Sequence, residues 1–230
     1  NIMNILFVYP ESYLNIGIPG GIAILSALLK IEGHNVDLFD TTLIKTNEIL
    51  ENDTYKSTAW VEKDRKHGGT GLADKGGISI FKRTEYSLQD LVMNDPIKRY
   101  DEEFQNKIDT FKPDIIALSC MTSTFDFACD LLRSVKHNSL VIVGGVHATI
   151  AYKDCLDQDV IDMACIGEAD YSFVELVNLM SKNQDFTNVH GMVYKTKKGR
   201  IIKNEIAERV QLNDLPCPDW SLFDKRHLFR

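Results

Sequence analysis

The first forty residues contain a strand pattern, a helix pattern and a second strand pattern in direct succession. Residues 3–10 (MNILFVYP) and 35–42 (NVDLFDTT) are short runs rich in apolar residues, as buried strands are. Between them, residues 20–33 carry apolar side chains on one face of a helix, and a glycine ends the pattern. A strand, a helix and a strand joined in this way form a βαβ unit, whose strands are parallel and whose crossover is right-handed.

The same alternation returns after Pro113. Strand patterns lie at 114–120, 140–145 and 163–170, and helix patterns lie at 124–137 and 172–182. The chain is therefore predicted to be an α/β domain with a flavodoxin-like (Rossmann-like), doubly wound, five-stranded parallel sheet. Such sheets bind ligands at the carboxyl ends of their strands, where the strand order reverses. The loops expected to form a site are residues 9–21, 119–125, 144–149 and 167–171.

Three segments depart from this alternation. Residues 51–112 are far longer than an ordinary connection, so we predict an insertion after the second strand that acts as a mobile flap. Residues 189–206 alternate about a Lys-Lys-Gly turn and predict a β-hairpin that either extends the sheet or caps it. We expect residues 1–224 to form the domain and residues 212–230 to serve as a proline-stiffened exit linker.

Charge and cysteine content exclude several classes of protein. The chain of 230 residues has 26 basic and 33 acidic residues, and a net charge of −7 argues against nucleic acid and anionic membranes as partners. No apolar run approaches the ~18 to 20 residues of a membrane span, so we predict a cytoplasmic protein. The five cysteines are widely spaced and form no CxxC pair, so we expect neither a disulfide scaffold nor a zinc site.

Glycines and hydroxyl residues concentrate in the predicted site loops. Gly144 and Gly145 follow a strand directly, where a missing side chain permits unusual backbone angles or the close approach of a ligand. Ser119, Thr122, Ser123 and Thr124 supply four hydroxyls after another strand, and a helix cap accounts for only one of them. The first loop lacks GxGxxG, which argues against a dinucleotide site. A flavin or nucleotide binder, and a degenerate domain that only docks a substrate or partner, stay open as alternatives.

Five segments resemble a known family in order and spacing. They are DIIALSCMTSTF, VIVGGVHAT, CIGEADYSFVEL, GMVYKTKKGRII and LNDLPCPDWSLFD. They resemble the amino-terminal cobalamin-binding domain of B12-dependent radical SAM proteins, and the resemblance covers nearly the whole chain. Its most specific parts are GGVHAT, the residues Gly167, Glu168 and Phe173, and the exit residues Leu215, Pro216 and Pro218.

The resemblance implies that the domain binds cobalamin base-off, with the nucleotide tail sunk into the sheet at the strand ends. The paired glycines would make room for the tail, and the corrin ring would lie over residues 10–19. The cofactor-binding residues implied are Pro10, Glu11, Ser12, Gly17, Ser119, Met121, Thr122, Ser123, Gly144, Gly145, His147, Thr149, Gly167, Glu168 and Ala169.

The resemblance also implies partners, and the first loop of this chain departs from the family's pattern at one motif. In the family, the exit segment leads in cis to a radical SAM domain that holds a [4Fe-4S] cluster and S-adenosylmethionine, where methyl transfer or a radical rearrangement occurs. We therefore expect this chain to be a cofactor module without catalytic residues of its own. Many cobalamin domains carry DxHxxG in the first loop, but residues 10–21 contain no histidine, so cobalt is expected to lack a histidine ligand. Arg83 or Tyr86 would be alternative side chains below the ring.

Overall fold

A computed structural model describes residues 1–11, 17–46 and 96–228. Its sheet has seven strands in the order β2-β1-β3-β4-β5-β6-β7. The first five are parallel, and β6 and β7 pair antiparallel beyond β5. The strands are β1 Asn4–Tyr9, β2 Asn35–Asp40, β3 Ile115–Ser119, β4 Leu140–Gly144, β5 Met163–Cys165, β6 Met192–Lys195 and β7 Ile201–Lys203.

Helices cover both faces of the parallel strands. Side chains of one strand alternate between the faces, so that Ile5 and Phe7 join one hydrophobic core while Leu6 and Val8 join the other. Helices α1 and α5 pack on the first face, and α2, α3 and α4 pack on the second. The helices are α1 Gly20–Ile31, α2 Tyr100–Phe111, α3 Phe125–Arg133, α4 Val146–Asp157 and α5 Asp170–Ser181.

This architecture confirms the predicted fold class. The order 2-1-3-4-5 of the parallel strands is that of flavodoxin-like sheets, and the direction of winding reverses between β1 and β3. The predicted hairpin extends the sheet, because β6 pairs with β5 from Met163 to Cys165. Most of the predicted insertion, residues 51–95, lies outside the described residues, and its last part contains α2.

One predicted loop was wrong. Residues 146–149 form the first turn of helix α4, which starts directly after Gly145. The sequence pattern missed this helix because β-branched residues fill its first turns and its apolar residues have little helical periodicity. The backbone also leaves helical geometry at Ala151, with φ −132° and ψ 36°, so that two short helical pieces follow each other.

Residues 219–227 of the predicted exit segment pack against the domain. The backbone N–H of Asp219 donates to the Ala23 carbonyl at 2.9 Å, and its carboxylate accepts from Ser26 at 2.7 Å and Lys30 at 2.6 Å. Burial alone would raise the pKa of Asp219, but hydrogen bonds from Lys30, Ser221 and Ser26 outweigh it and lower the pKa to about 2. Phe223 enters the core under α1, and the imidazole Nε2 of His227 lies 2.5 Å from a carboxylate oxygen of Asp40.

We expect this packing to contribute to the stability of the domain. Phe223 is 6 % exposed, so Phe223→Ala should lower the free energy of unfolding by about 3 kcal/mol through lost burial and the cavity that remains. Leu212→Ala is the control, since that side chain is 83 % exposed. Urea unfolding measures both variants. Equal midpoints for Phe223→Ala and Leu212→Ala would contradict the packing described here.

Candidate functional site

A pocket of about 270 Å³ opens at the carboxyl ends of the parallel strands. It lies on the face covered by α1 and α5, so that the sheet forms its floor and the first turns of these helices form its sides. Its walls are mostly apolar, as in most small-molecule sites. The apolar side chains are Phe7, Pro19, Ile22, Leu25, Ala117, Leu118, Ile142, Cys165, Ala169 and Phe173, and the polar ones are Ser119, Glu168 and Asp170.

The pocket brings together six of the predicted site residues. They come from the ends of three strands: Ser119 from β3, Gly144 and Gly145 from β4, and Gly167, Glu168 and Ala169 from the segment after β5. Sequence reasoning missed Phe7 and Leu25, and it placed Asp170 in a site loop without assigning it a role in binding. The alternation of side chains along β1 could have indicated Phe7, once α1 was known to cover that face of the sheet.

The absence of a side chain at Gly144 and at Gly145 has a different structural reason at each position. A Cβ on Gly144 would meet only ordinary contacts, with the Leu118 carbonyl at 3.9 Å as the nearest atom. A Cβ on Gly145 would lie 2.7 Å from the carbonyl oxygen of Cys120, and its φ of +94° disfavours any side chain. The backbone of Cys120 is therefore what approaches Gly145 so closely, whereas the missing side chain of Gly144 leaves room in the pocket.

The remaining predicted residues after β3 lie outside the pocket lining. Met121, Thr122 and Ser123 are exposed at the same edge of the sheet. Thr124 is buried, and its hydroxyl accepts a hydrogen bond from the Met121 N–H at 3.2 Å. This hydroxyl stabilises the turn after β3, and the hydroxyl of Thr122 lies 3.2 Å from Nδ1 of His147.

His147 is enclosed by the loop after β3. Its side chain is buried, its ring centroid lies 4.2 Å from that of Phe125, and its backbone N–H donates to the Cys120 carbonyl at 3.3 Å. Nε2 is buried without a hydrogen-bond partner among the described residues. These contacts place His147 as a support of the loop on the face opposite the pocket, because Phe125 and Cys120 belong to the core of that face.

Thr149 connects the loops that follow β4 and β5. Its hydroxyl donates to the Gly145 carbonyl at 3.0 Å and accepts from the Gly167 N–H at 3.1 Å. Glu168 in turn accepts from the Val210 N–H at 3.1 Å, which ties the segment after β7 to the same edge. Thr149 therefore fixes the distance between two walls of the pocket without lining it.

The first loop is only partly described. Pro10 and Glu11 are buried, and the Glu11 backbone is held by Thr41, whose hydroxyl accepts from the Glu11 N–H at 2.8 Å and donates to its carbonyl at 2.6 Å. Pro10, Glu11 and Gly17 do not line the pocket. Ser12, Arg83 and Tyr86 lie outside the described residues.

Buried thiols lie in both cores of the sheet, and one of them, Cys165, lines the pocket. Burial raises the pKa of Cys129 to about 11 and that of Cys155 and Cys165 to about 12, and it also raises the pKa of Cys120. The thiol of Cys165 on the pocket wall is therefore protonated and behaves as an apolar group. Within residues 1–11, 17–46 and 96–228, no group of three or more His, Cys, Asp or Glu side chains could hold a metal ion.

A doubly wound α/β sheet with an apolar pocket at the carboxyl ends of its strands is typical of ligand-binding domains. No helix in the described ranges has the length and apolar character that crossing a bilayer requires.

Comparison with known proteins shows similarity to one family over part of the chain. Residues 79–177 match the family model described as the B12 binding domain. The chain is 26% identical over 137 residues to cytidylyl-2-hydroxyethylphosphonate methyltransferase of Streptomyces wedmorensis, covering 56% of this chain and 26% of the relative. It is 23% identical over 131 residues to the anaerobic magnesium-protoporphyrin IX monomethyl ester cyclase of Rubrivivax gelatinosus, covering 54% of this chain and 24% of the relative.

Solved structures show the same fold. The cobalamin-dependent S-adenosylmethionine radical enzyme OxsB, with aqua-cobalamin and S-adenosylmethionine bound, superposes with a TM-score of 0.58 at 17% identity, over 95% of this chain and 24% of that one. The radical S-adenosylmethionine methyltransferase TsrM from Kitasatospora setae, with tryptophan substrate and a SAM analog bound, superposes with a TM-score of 0.52 at 15% identity. This match covers 90% of this chain and 30% of that one. Residues 79–177 are therefore similar to the B12 binding domain, the chain has the fold of the matching part of these two enzymes, and it spans about a quarter of the length of the curated relatives cited.

The contrast between the two glycines leads to a stability prediction. Gly145→Ala should lower the free energy of unfolding by at least about 2 kcal/mol, because it combines a left-handed backbone with a contact at 2.7 Å. Gly144→Ala should leave the stability nearly unchanged, since its Cβ has space. Thermal unfolding of the two variants measures the difference, and equal losses at both positions would refute the separate roles.

Proposed function

We propose that this domain binds cobalamin base-off, with the nucleotide tail in the pocket between the sheet, α1 and α5. The observation that carries the proposal is the apolar pocket at the strand ends, into which Gly144 projects no side chain. A flat aromatic base and its ribose need apolar walls with a few polar groups, and the pocket supplies both. The predicted tail residues Ser119, Gly144, Gly145, Gly167, Glu168 and Ala169 line it.

The corrin ring would rest on the edge of the sheet outside the pocket. Its place over residues 10–19 is part of the proposal, with Pro10, Glu11, Ser12 and Gly17 below it. Exposed apolar side chains of Met121, Val146 and Ile150 belong to the same carboxyl edge and supply further contact area for a large ring. Met121, Thr122 and Ser123 would then contact the ring or its side chains rather than the tail, and His147 and Thr149 would hold the loops in place.

In the whole protein the module would present cobalamin to a radical SAM domain in cis. That domain would hold the [4Fe-4S] cluster and S-adenosylmethionine, and the reaction would be a methyl transfer or a radical rearrangement. Bound cobalamin supplies the carbon–cobalt chemistry of such reactions, and the residues of this chain bind and orient it. Similarity to a methyltransferase and to a cyclase supports the proposal at the level of class.

Binding is tested by titrating the purified chain with hydroxocobalamin. We expect a saturable change in the visible spectrum, a smaller affinity for Gly144→Ala and a still smaller one for Gly144→Val, because each methyl occupies space that the tail requires. Thermal midpoints like that of the wild type would show that the variants fold. Saturable uptake of a flavin or a nucleotide instead of cobalamin would favour the alternative cofactors, and uptake of none would refute the proposal.

The axial position of cobalt is tested by electron paramagnetic resonance of the cob(II)alamin state. We expect no splitting from a coordinated nitrogen, because the tail's own base is removed from cobalt and His147 is enclosed between Thr122 and Phe125. The spectrum of His147→Ala should therefore match that of the wild type. A nitrogen splitting that disappears in His147→Ala would instead identify His147 as the ligand.

A further inference from the structure

One carboxylate on the pocket wall is not accounted for by the packing of the domain. Asp170 starts helix α5, is half-buried and lines the pocket close to Cys165 and Phe173. Burial raises the pKa of Asp170, its own backbone N–H partly opposes this, and the charge of Glu168 raises it further. No side chain in the described part of the protein hydrogen-bonds or pairs with its carboxylate.

A role in helix α5 does not explain this position. The N-cap of α5 is Ala169, so Asp170 does not cap the helix. An acidic residue in a first turn also interacts favourably with the helix dipole from an exposed position, where it keeps its hydration. Asp126 shows this in α3, where it occupies the first turn and is exposed. Placing Asp170 against an apolar pocket instead costs solvation, which a hydrogen-bond donor inside the pocket would recover.

The other polar side chains of the pocket do not duplicate Asp170. Glu168 is exposed and already accepts the N–H of Val210, and Ser119 is uncharged. Asp170 is therefore the acidic group in the lining that lacks a partner from any other residue within the described part of the chain.

We infer that Asp170 is a specificity-determining residue, whose carboxylate accepts a hydrogen bond from a donor on the nucleotide tail of the bound cobamide. This inference rests on the proposed function. The tail offers two donors: a ribose hydroxyl, and the ring nitrogen of the base, which can carry a proton once it has left cobalt. Either donor is recognised by the same chemistry, a charge-assisted hydrogen bond inside a largely apolar pocket.

The test compares three corrinoids with the same protein. Hydroxocobalamin has both donors, a cobamide with a cresol in place of the benzimidazole has the ribose without the ring nitrogen, and aquacobinamide has no nucleotide tail. Equilibrium titrations give Kd for the wild type, Asp170→Asn, Asp170→Ala and the control Asp126→Asn. Circular dichroism and thermal unfolding show whether each variant folds.

Asp170→Ala should raise the Kd for hydroxocobalamin by roughly 10- to 100-fold, which is the range for a hydrogen bond to a charged group. It should change the Kd for aquacobinamide by no more than about twofold. Asp170→Asn should lose less affinity for hydroxocobalamin, because its amide oxygen still accepts a hydrogen bond. Asp126→Asn should bind with the same affinity as the wild type. If Asp170→Ala weakens binding of the cresol cobamide as much as binding of hydroxocobalamin, the hydrogen-bond donor is the ribose. If Asp170→Ala does not weaken binding of the cresol cobamide, the donor is the ring nitrogen.

Two results would overturn the inference while leaving cobalamin binding intact. The first is an unchanged Kd of Asp170→Ala for hydroxocobalamin, and the second is the same loss for hydroxocobalamin and aquacobinamide. A wild type that binds none of the three corrinoids would instead refute the proposed function itself.

Discussion

The close approach of Gly145 to the backbone of Cys120 determines how the carboxyl edge of this sheet is built. The positive φ of Gly145 turns the chain directly from β4 into α4, and the N–H of His147 reaches the Cys120 carbonyl. The Cys120 N–H in turn donates to the Gly144 carbonyl at 3.2 Å. Two loops are thereby joined through their backbones, so the edge around the pocket is held without side chains that would fill it.

The motif GGVHAT divides its tasks between the two faces of the sheet. Gly144 leaves space on the face of α1 and α5, where the pocket lies. His147 packs on Phe125 on the opposite face, and Thr149 joins the segments after β4 and β5. A single short segment thus combines room for a ligand with two supports of the surrounding loops. Since the supports lie away from the pocket, they fix its shape without reducing its volume.

The fold could be predicted from the sequence because each parallel strand is a short apolar run and most of the helices have clear periodicity. Helix α4 could not, since β-branched residues fill its first turns, its apolar residues have little helical periodicity and its backbone leaves helical geometry at Ala151. A site was predicted where glycines and hydroxyls mark the strand ends, and the structure brings Ser119, Gly144 and Gly167 together in one pocket. Phe7 and Leu25 were missed because their contribution depends on which face each crossover helix covers. That information is tertiary and is not contained in local spacing.

Helix α1 is shared by the pocket and the carboxyl-terminal segment of the domain. Ile22 and Leu25 line the pocket, while the Ala23 carbonyl and the side chains of Ser26 and Lys30 hold Asp219. The segment then continues through Phe223 to His227 and Asp40 at the end of β2. Asp40 also fixes Thr42, the neighbour of the Thr41 that holds Glu11 in the first loop. A continuous set of contacts therefore links residues 219–227 to two sides of the proposed cofactor site.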